Sequence, residues 1–378
     1  MGLKQFFNRN KKSKYYDRSV MKKIMHDHNC KYGLVFGERS NGKTYSYLEE
    51  AIENYVNNGK QSAYIRRWKE DLVGQRGANL LSGHTKNNVI TRLTKGEWDG
   101  VFYQSQRWYF SRWDDEKRQR VHADEPFLLG FSLNDMEHDK GNSYPNIDLI
   151  IFDEFLTRGQ YLVDEFVLFM NVVSTIVRDR DDVTIMMLGN TVNNYSPYFK
   201  EMGIDGIKNQ EQGTIQIYEY EGSDLRVAVE YCESKSEHKK SNVYFEFKNS
   251  RLSMITGGGW EFDIYPHNPI RYNKLNDVAF SYFICFDNEI FQADIVTIDD
   301  VCYTYIHRKT TDIKKPDEDL IYSPIYDPRL NWRRNILKPS YEFEKKLLWF
   351  FKNDKVFYQD NMVGESIRNY MNWCKTNK

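Results

Sequence analysis

The phosphate-binding pattern G-x-x-x-x-G-K-[ST] is complete at residues 37–44. An apolar run at residues 31–36 precedes it and predicts a buried strand, and Thr44 to Val56 predicts a helix. A loop that bends from strand into helix turns backbone N–H groups toward one point, where the helix N-terminus adds positive potential. There Lys43 can reach the outer phosphates of a nucleoside triphosphate, and the Thr44 hydroxyl can ligate Mg²⁺. The expected binding residues are Gly37, Glu38, Arg39, Ser40, Asn41, Gly42, Lys43 and Thr44.

A pair of acids supplies the second element that a triphosphatase needs. The apolar run from Ile147 to Phe152 is interrupted only by Asp148 and ends in Asp153 and Glu154. We expect Asp153 to hold Mg²⁺ and Glu154 to polarise the attacking water. Nucleotide kinases and small GTPases usually lack the adjacent glutamate. The pair therefore predicts a hydrolase of the additional-strand, catalytic-glutamate branch.

Two competing nucleotide-binding classes lack their own motifs. A GTPase needs N-K-x-D, and the nearest match, residues 273–276, carries Asn276 in place of the aspartate. An ABC ATPase needs L-S-G-G-Q, and residues 81–84 read L-S-G-H and come too early in the chain.

Polar residues near two further element ends complete the candidate site. Arg178 and Arg180 end a predicted helix, where an arginine can reach the γ-phosphate bound by a neighbouring subunit. Arg178 is the stronger candidate, and the alternative is a helix end that pairs with Asp181 or Asp182. Asn190 follows the next buried strand and fits a γ-phosphate sensor, the alternative being an ordinary turn asparagine.

The elements that must position these residues predict an α/β fold. Buried strands alternate with helices behind the phosphate loop, which implies a mostly parallel sheet with the site at the carboxyl ends of its strands. We expect a P-loop ATPase domain over 1–210, a small β-rich connecting segment over 211–270 and a C-terminal domain over 271–378. Residues 1–20 read as a loose basic arm, and residues 101–110 as a hairpin. The last domain opens with a three-strand meander and closes with helical patterns at 341–352 and 364–375.

Composition limits the partners and the compartment. The 378 residues carry a formal net charge of −1, so contact with nucleic acid must come from local basic patches. Five scattered cysteines without a C-x-x-C pair argue for a reducing compartment and against a zinc site. No apolar run is long enough to span a bilayer, so we expect a cytosolic protein with no membrane partner.

Five sequence blocks occur in a fixed order between residues 30 and 200. The blocks are Gly37 to Thr44 with Arg39 inside the loop, Tyr64 to Lys69, Ser143 to Asn146 leading into Ile151 to Phe155, Val177 to Arg180, and Leu188 to Asn190 with Asn194 to Phe199. In this order they resemble the DNA-packaging (encapsidation) ATPases of small short-tailed phages with protein-primed replication, the Picovirinae type. Similarity in the C-terminal region is limited to the meander, and the aromatic-rich insert near 95–125 and a longer C-terminal region depart from the pattern.

The resemblance implies a homo-oligomeric, pentameric ring that uses ATP and Mg²⁺ to move double-stranded DNA into a procapsid. It implies that Lys43, Thr44, Asp153 and Glu154 act in cis. Arg178 matches the family's trans arginine finger, and Lys140 resembles a second trans-acting basic residue. The procapsid portal and a structural packaging RNA are the implied partners. The implied location is the host cytoplasm, with transient attachment to the procapsid.

The resemblance also implies an RNase H-like C-terminal domain that has lost its catalytic carboxylates. Spacing alone does not arrange the available acids into a two-metal cluster, and a basic loop is available to contact the portal or RNA. The acids are Asp287, Asp294, Asp299 and Asp300, and the loop carries Arg308, Lys309, Lys314 and Lys315.

A ring motor needs basic loops to contact DNA phosphates, and these contacts carry no sequence information. For each candidate the alternative is a solvated surface charge. The candidates are Lys86, Arg92, Lys95, Arg107, Arg112, Lys117, Arg118 and Arg120.

Two other functions stay open at this point. One is a large-terminase-like ATPase with an active nuclease, or a DNA helicase. The other is not an enzyme but an assembly scaffold gated by nucleotide binding, against which the intact pair of acids argues.

Overall fold

The computed structural model describes residues 2–7, 15–135, 142–191, 193, 195–233, 265–268 and 270–377. These residues form two compact units, each with its own sheet. The first holds the described residues up to 157 together with 164–233, and the second holds 158–163 together with the described residues from 265 onward. None of the described helices is long and apolar enough to cross a membrane.

The first unit is built on an 11-stranded sheet flanked by seven helices, counted over the described residues. The strands are β1 (Gly2–Phe7), β2 (Tyr32–Gly37), β3 (Gln61–Arg66), β4 (Gly100–Gln104), β5 (Arg107–Asp114), β6 (Gln119–His122), β7 (Leu128–Ser132), β8 (Ile147–Asp153), β9 (Thr184–Asn190), β10 (Thr214–Glu219) and β11 (Arg226–Tyr231). The helices are α1 (Ser19–Asp27), α2 (Lys43–Asn58), α3 (Gly74–Asn79), α4 (Ser82–Lys86), α5 (Val89–Leu93), α6 (Glu165–Val177) and α7 (Pro197–Glu201).

The strand order is β1-β10-β11-β2-β9-β8-β3-β7-β5-β4, with β6 paired to β5. The six strands from β11 to β7 are parallel to one another, so their carboxyl ends share one edge. Strand β9 lies between β2, which leads into the phosphate loop, and β8, which ends in Asp153. The central strands are covered on both faces, as their uninterrupted apolar runs predict.

The buried face of helix α2 and the point at which it ends both follow from its sequence. Its buried face carries Tyr47, Leu48, Ala51 and Ile52, at the spacing that puts side chains on one face of a helix. Helix α2 ends at Gly59, whose φ of 67° is the left-handed conformation that glycine adopts without strain.

Two sequence interpretations differ from the structure because strand pairing is long-range. The expected basic arm contributes β1, which pairs antiparallel with β10. Residues 214–231, placed by the sequence in a separate connecting segment, form β10 and β11, and β11 pairs with the phosphate-loop strand β2. Local pattern showed strands there but could not show which sheet they join. The rest of the expected segment, residues 234–264, lies outside the described residues.

The second unit contains a 6-stranded sheet in the order β16-β15-β12-β13-β14-β17. The predicted meander is confirmed as β12, β13 and β14, and β15 and β16 extend it as parallel strands. The elements are β12 (Val278–Phe286), β13 (Glu289–Ile298), β14 (Val301–Lys309), β15 (Ile321–Tyr322), β16 (Trp332–Arg333), α8 (Glu342–Lys352), β17 (Val356–Tyr358) and α9 (Asn361–Thr376).

Candidate nucleotide site

The phosphate loop follows β2 and turns directly into α2. Gly42 precedes the helix with φ of 93°, a conformation in which any other residue would be strained. At Gly37 the constraint is close approach, because an added Cβ would lie 2.8 Å from the Cβ of Cys232. Arg39 and Ser40 are exposed in the loop, whereas Glu38 and Asn41 are buried. All five cysteines lie within the described residues and are free thiols.

Lys43 is buried at the first position of α2. Its Nζ donates to the carbonyl oxygen of Glu38 at 2.8 Å and to Oδ1 of Asn41 at 3.1 Å. It also donates to Oδ1 of Asn190 at 3.3 Å, since β9 runs beside β2. Burial lowers the pKa of Lys43, against the opposing field of Cys232 and other nearby groups. A buried ammonium that neutral oxygens satisfy favours an anionic ligand, which would restore the lost solvation.

Asp153 faces the same point from the end of β8. The Thr44 hydroxyl donates to its two carboxylate oxygens at 3.0 and 3.1 Å, and the Tyr64 hydroxyl donates at 2.7 Å. Burial, followed by the Asp153 charge, raises the pKa of Tyr64 well above its ordinary value, so this hydroxyl stays a donor. A hydroxyl and a carboxylate are hard oxygen ligands of the kind that Mg²⁺ takes. The residues present therefore fit a magnesium site.

Glu154 has an unusual backbone and an open side chain. Its φ is 61°, rare for a residue other than glycine, asparagine or aspartate, and its side chain is 56% exposed. The carboxylate accepts from Nη2 of Arg66 at 2.6 Å, and Nη1 of the same arginine lies 3.4 Å from Asp153. Sequence reasoning assigned Arg66 no role. The available signal was its position at the end of β3, the strand that pairs with β8.

A buried ion pair holds the backbone that follows Glu154. Arg67 forms two hydrogen bonds of 2.8 Å with the fully buried carboxylate of Glu165, which also accepts from the Tyr198 hydroxyl at 2.7 Å. The same guanidinium donates to the carbonyl oxygens of Glu154 at 3.1 Å and Phe155 at 3.0 Å. These three side chains therefore position the backbone of Glu154 and Phe155.

Arg178 and Arg180 lie at the other edge of the sheet. Arg178 is exposed and donates to the carbonyl oxygen of Asn142 at 2.5 Å. Arg180 donates to the carbonyl oxygens of Pro145, at 3.1 Å, and of Ile147 at the start of β8. Strand β8 runs ~20 Å from that point to Asp153 at its other end. Both arginines precede β9, so they lie at the amino-terminal edge of the parallel strands, opposite the edge that carries the phosphate loop.

The two arginines differ in what holds them. Arg180 also contacts the carbonyl oxygen of Tyr144 and forms an ion pair of 3.3 Å with Asp182, as the helix-end alternative predicted. Arg178 ends α6 with φ of 48° and faces solvent. Lys140, the second predicted trans-acting residue, lies outside the described residues.

The eight basic candidates for DNA contact are all exposed, on or just after helices α4 and α5 or on and around strands β5 and β6. Several also have partners within the unit. Arg92 pairs with Glu49 at 2.5 Å, Arg120 pairs with Asp99, and the Arg112 guanidinium lies 5.3 Å from the ring centre of Trp98. The geometry so far favours neither DNA contact nor solvation.

The four acids that the sequence offered for a metal cluster in the second unit do not lie together in its sheet. Asp287 follows β12, whereas Asp299 and Asp300 lie in the turn before β14, at the other end of β13. No group of three metal-ligating side chains occurs among the residues that the structure describes.

Asp294, in the middle of β13, is surrounded by hydrogen-bonding side chains. It accepts from Tyr272 at 3.0 Å, Ser281 at 2.7 Å and Gln292 at 2.8 Å, and His307 lies 3.4 Å away. Burial alone would raise its pKa, but hydrogen bonds from His307, Gln292, Ser281 and Tyr272 outweigh burial and lower the pKa to about 2.

Comparison with known proteins gives a consistent result. Residues 100–241 match the family of the podovirus DNA encapsidation protein (Gp16). The DNA packaging protein of Bacillus phage phi29 is 28% identical over 171 residues, which is 44% of each chain. That of Bacillus phage B103 is 25% identical over 176 residues, 45% of this chain and 47% of the other. The chain thus spans about half the length of the curated relatives that it matches.

Two solved structures share the fold over nearly the whole chain. The Phi-28 gp11 DNA packaging motor is 17% identical with a TM-score of 0.53, over 97% of this chain and 99% of that one. The bacteriophage Phi-29 viral genome packaging motor assembly is 19% identical with the same TM-score, over 94% and 97%. The mostly parallel α/β fold and the resemblance to phage DNA encapsidation proteins are confirmed. The family match begins at residue 100 and therefore includes the hairpin that we expected to depart from the pattern.

Proposed function

We propose that this chain, a relative of the podovirus DNA encapsidation proteins, is the ATPase of a motor that drives double-stranded DNA into a preformed procapsid. One observation carries the proposal. A single edge of a parallel sheet brings together a phosphate loop, its lysine and threonine, and the consecutive acids Asp153 and Glu154. ATP hydrolysis needs these groups in this arrangement.

Binding of ATP and magnesium would use contacts that the site already holds. The loop N–H groups and the Lys43 ammonium would bind the phosphates, with Lys43 exchanging the Glu38 and Asn41 oxygens for phosphate oxygens. Thr44 and Asp153 would hold the magnesium ion. When bound, Mg²⁺ would supply positive charge that offsets the charge developing on the transferred phosphoryl group.

Glu154 is the proposed general base. Its carboxylate is exposed enough to accept a proton from water, but Arg66 occupies one oxygen at 2.6 Å. An arginine at that distance competes with water for the lone pairs of the carboxylate. Glu154 would therefore become an effective base when Arg66 releases it. Asn190, within reach of Lys43, is the proposed sensor of the γ-phosphate.

The position of β9 supports membership of the additional-strand, catalytic-glutamate branch. In that branch one strand separates the phosphate-loop strand from the acidic strand, and β9 lies between β2 and β8 in this way. The second unit supports an RNase H-like domain, because it extends a three-strand antiparallel meander with two parallel strands. We propose that this domain is vestigial and docks on the portal or on a packaging RNA.

The position of Arg178 supports a shared site. Arg178 is exposed and lies between the end of α6 and the start of β9, at the amino-terminal edge of the parallel strands, whereas the phosphate loop follows the carboxyl end of β2. A role at a nucleotide would therefore be at that of another subunit. We therefore propose a homo-oligomeric, pentameric ring in the host cytoplasm, attached to the procapsid during packaging. Lys140 is proposed as a second trans-acting residue from the resemblance alone.

ATP turnover with and without duplex DNA tests the proposal. Wild type should hydrolyse ATP faster when duplex DNA is present, and Lys43→Ala should be inactive under both conditions. Absence of ATP turnover by wild type would contradict the motor and favour the assembly scaffold that nucleotide binding gates. Strand separation or Mg²⁺-dependent DNA cleavage by the full chain would favour the helicase or the active nuclease instead.

A further inference from the structure

The small sheet formed by β4, β5 and β6 has one packed face and one open face. On the packed face, Trp108 is fully buried and Phe110 nearly so. On the open face, Phe102 and His122 are exposed, Tyr109 is half-buried and Trp113 is 52% exposed. An antiparallel sheet that packs on one side normally presents polar residues on the other. Four aromatic rings on the solvent face therefore call for an explanation.

Strand register brings three of these rings together. Phe102 pairs with Tyr109 across β4 and β5, and His122 pairs with Ser111 across β5 and β6. Because Ser111 is small, the rings of Phe102 and His122 meet above β5, stacked with centroids 4.6 Å apart and planes 8° apart. The Tyr109 ring centre lies 5.5 Å from that of His122. The result is a preformed aromatic platform.

Trp113 lies further along β5 on the same face. Its cross-strand partner is Arg120, which forms an ion pair with Asp99 at the sheet margin. Among the described residues, no other ring stacks on Trp113. A flat ring that is half exposed and beside a guanidinium is ready to accept another flat group.

The open face carries two arginines, of which Arg120 is paired with Asp99 and Arg107 is exposed. It is formed by alternate positions, 100–104 of β4, 107–113 of β5 and 120–122 of β6, and none of these is an aspartate or glutamate. Arg107 lies at one end of the face and Arg120 at the other. The positions from Arg107 to Trp113 extend for ~20 Å along β5. Aromatic platforms between arginines over such a length are typical of surfaces that bind single-stranded nucleic acid.

We propose that this face binds single-stranded DNA. Bases would stack on Trp113 and on the platform of Phe102, Tyr109 and His122, while Arg107 and Arg120 contact the phosphates. Duplex DNA does not fit this chemistry, because its bases are stacked on one another and present no free face. The choice of DNA over RNA rests on the proposed function. The surface would hold unpaired bases, at a strand end or a locally opened segment, while the motor engages the duplex.

Fluorescence anisotropy with the full-length protein tests the inference. The probe is one short labelled sequence in three forms, as single-stranded DNA, as duplex DNA and as RNA, all without ATP. Trp113→Ala should weaken binding of single-stranded DNA by about tenfold or more, because one stacked base is lost. Trp113→Phe should retain most of the affinity, and duplex binding should not change.

The matched control is Trp349→Ala, since Trp349 is equally exposed, at 51%, but lies in the second unit. Equal affinity of the Trp113→Ala and Trp349→Ala variants for single-stranded DNA would overturn the inference, as would tighter binding of RNA by wild type. The binding assay contains no ATP, so it is independent of hydrolysis. Lack of ATP turnover would defeat the proposed function and the choice of DNA, but a selective loss in Trp113→Ala would still establish the stacking surface.

Discussion

Glu154 and Asp294 lie in different units and show two opposite environments for a carboxylate. Glu154 is 56% exposed, follows the end of a parallel strand and has a strained φ of 61°. Asp294 is 1% exposed, lies in the middle of an antiparallel strand and accepts hydrogen bonds from hydroxyl and amide donors. Asp294 lies on a strand and Glu154 directly after one.

The difference teaches that donors, more than burial, decide what a carboxylate can do. The neutral donors around Asp294 satisfy its oxygens, so it stabilises the sheet and has little capacity left for a metal ion. Glu154 meets a single guanidinium among the described side chains, and next to it Asp153 faces the Thr44 hydroxyl. Such groups can be exchanged for ligands. We infer that Asp153 and Glu154 are available to a ligand and that Asp294 is not.

The largest expected loss of ATP turnover is at Arg178, the arginine that would complete the nucleotide site of another subunit. Arg178→Ala should lower DNA-stimulated turnover by about 10³-fold or more, because an arginine finger stabilises transition-state charge. ATP binding by the variant should persist. Steady-state hydrolysis and nucleotide binding of the same preparation measure both.

Mixed rings distinguish a trans role from a folding defect. Subunits with Arg178→Ala have an intact phosphate loop, and subunits with Lys43→Ala have an intact arginine. Mixing the two inactive variants should restore part of the turnover. If activity stays at the level of each variant alone, Arg178 acts in cis or not at all, and the ring model loses its main support.

The next effect concerns the buried pair that positions Glu154. Glu165→Gln leaves the Arg67 charge buried without its counter-ion, which should cost about 3–5 kcal/mol of folding free energy. Turnover should fall as well, because Arg67 holds the carbonyl oxygens of Glu154 and Phe155. Denaturant unfolding and hydrolysis assays measure the two losses.

An exposed ion pair provides the control for that substitution. Arg76 bonds Asp71 at 3.1 Å with its own side chain 69% exposed, so Arg76→Met should cost less than about 1 kcal/mol. Equal costs for Arg76→Met and Glu165→Gln would show that the pair of Arg67 and Glu165 is not the anchor that we describe.

The smallest effect is at Asp294. Asp294→Asn should destabilise the second unit by about 1–3 kcal/mol, because buried donors lose a charged acceptor. Its folded pKa of about 2 lies below the ordinary value of 3.8. The stabilisation is therefore full above pH 4 and is lost as the pH falls toward 2, where the folded state also takes up the proton.

Unfolding measured against pH checks this sign. The stability difference between wild type and Asp294→Asn should shrink as the pH falls from 4 to 2. A difference that stays constant or grows over that range would contradict the assigned environment. ATP turnover at neutral pH should be the same in the two proteins.

The sequence predicted the parts of the site that depend on local pattern. Strand, loop and helix around Lys43 and the acidic end of β8 follow from short-range periodicity and turn chemistry. It did not predict that β1, β10 and β11 join the same sheet, because pairing between distant segments leaves no local signal. Helices α3 to α5, of five or six residues each, are too short to show helical periodicity.

The role of Arg66 was missed for a related reason. Its contact with Glu154 spans 88 positions in the chain and depends on β3 pairing with β8. Likewise, no pattern distinguished Asp294 from the other acids of the second unit. Apart from Gln292 on the same strand, its partners Tyr272, Ser281 and His307 come from separate segments that only the folded sheet brings together.

The central claim is that Glu154 is the base of a hydrolytic site and that Asp294 has no part in one. DNA-stimulated ATP turnover of Glu154→Gln and Asp294→Asn, measured side by side with nucleotide binding, tests it most directly. Glu154→Gln should lose about 10²–10⁴-fold in turnover and still bind ATP, and Asp294→Asn should match wild type. Wild-type turnover by Glu154→Gln, or an equal loss in both variants, would contradict the account.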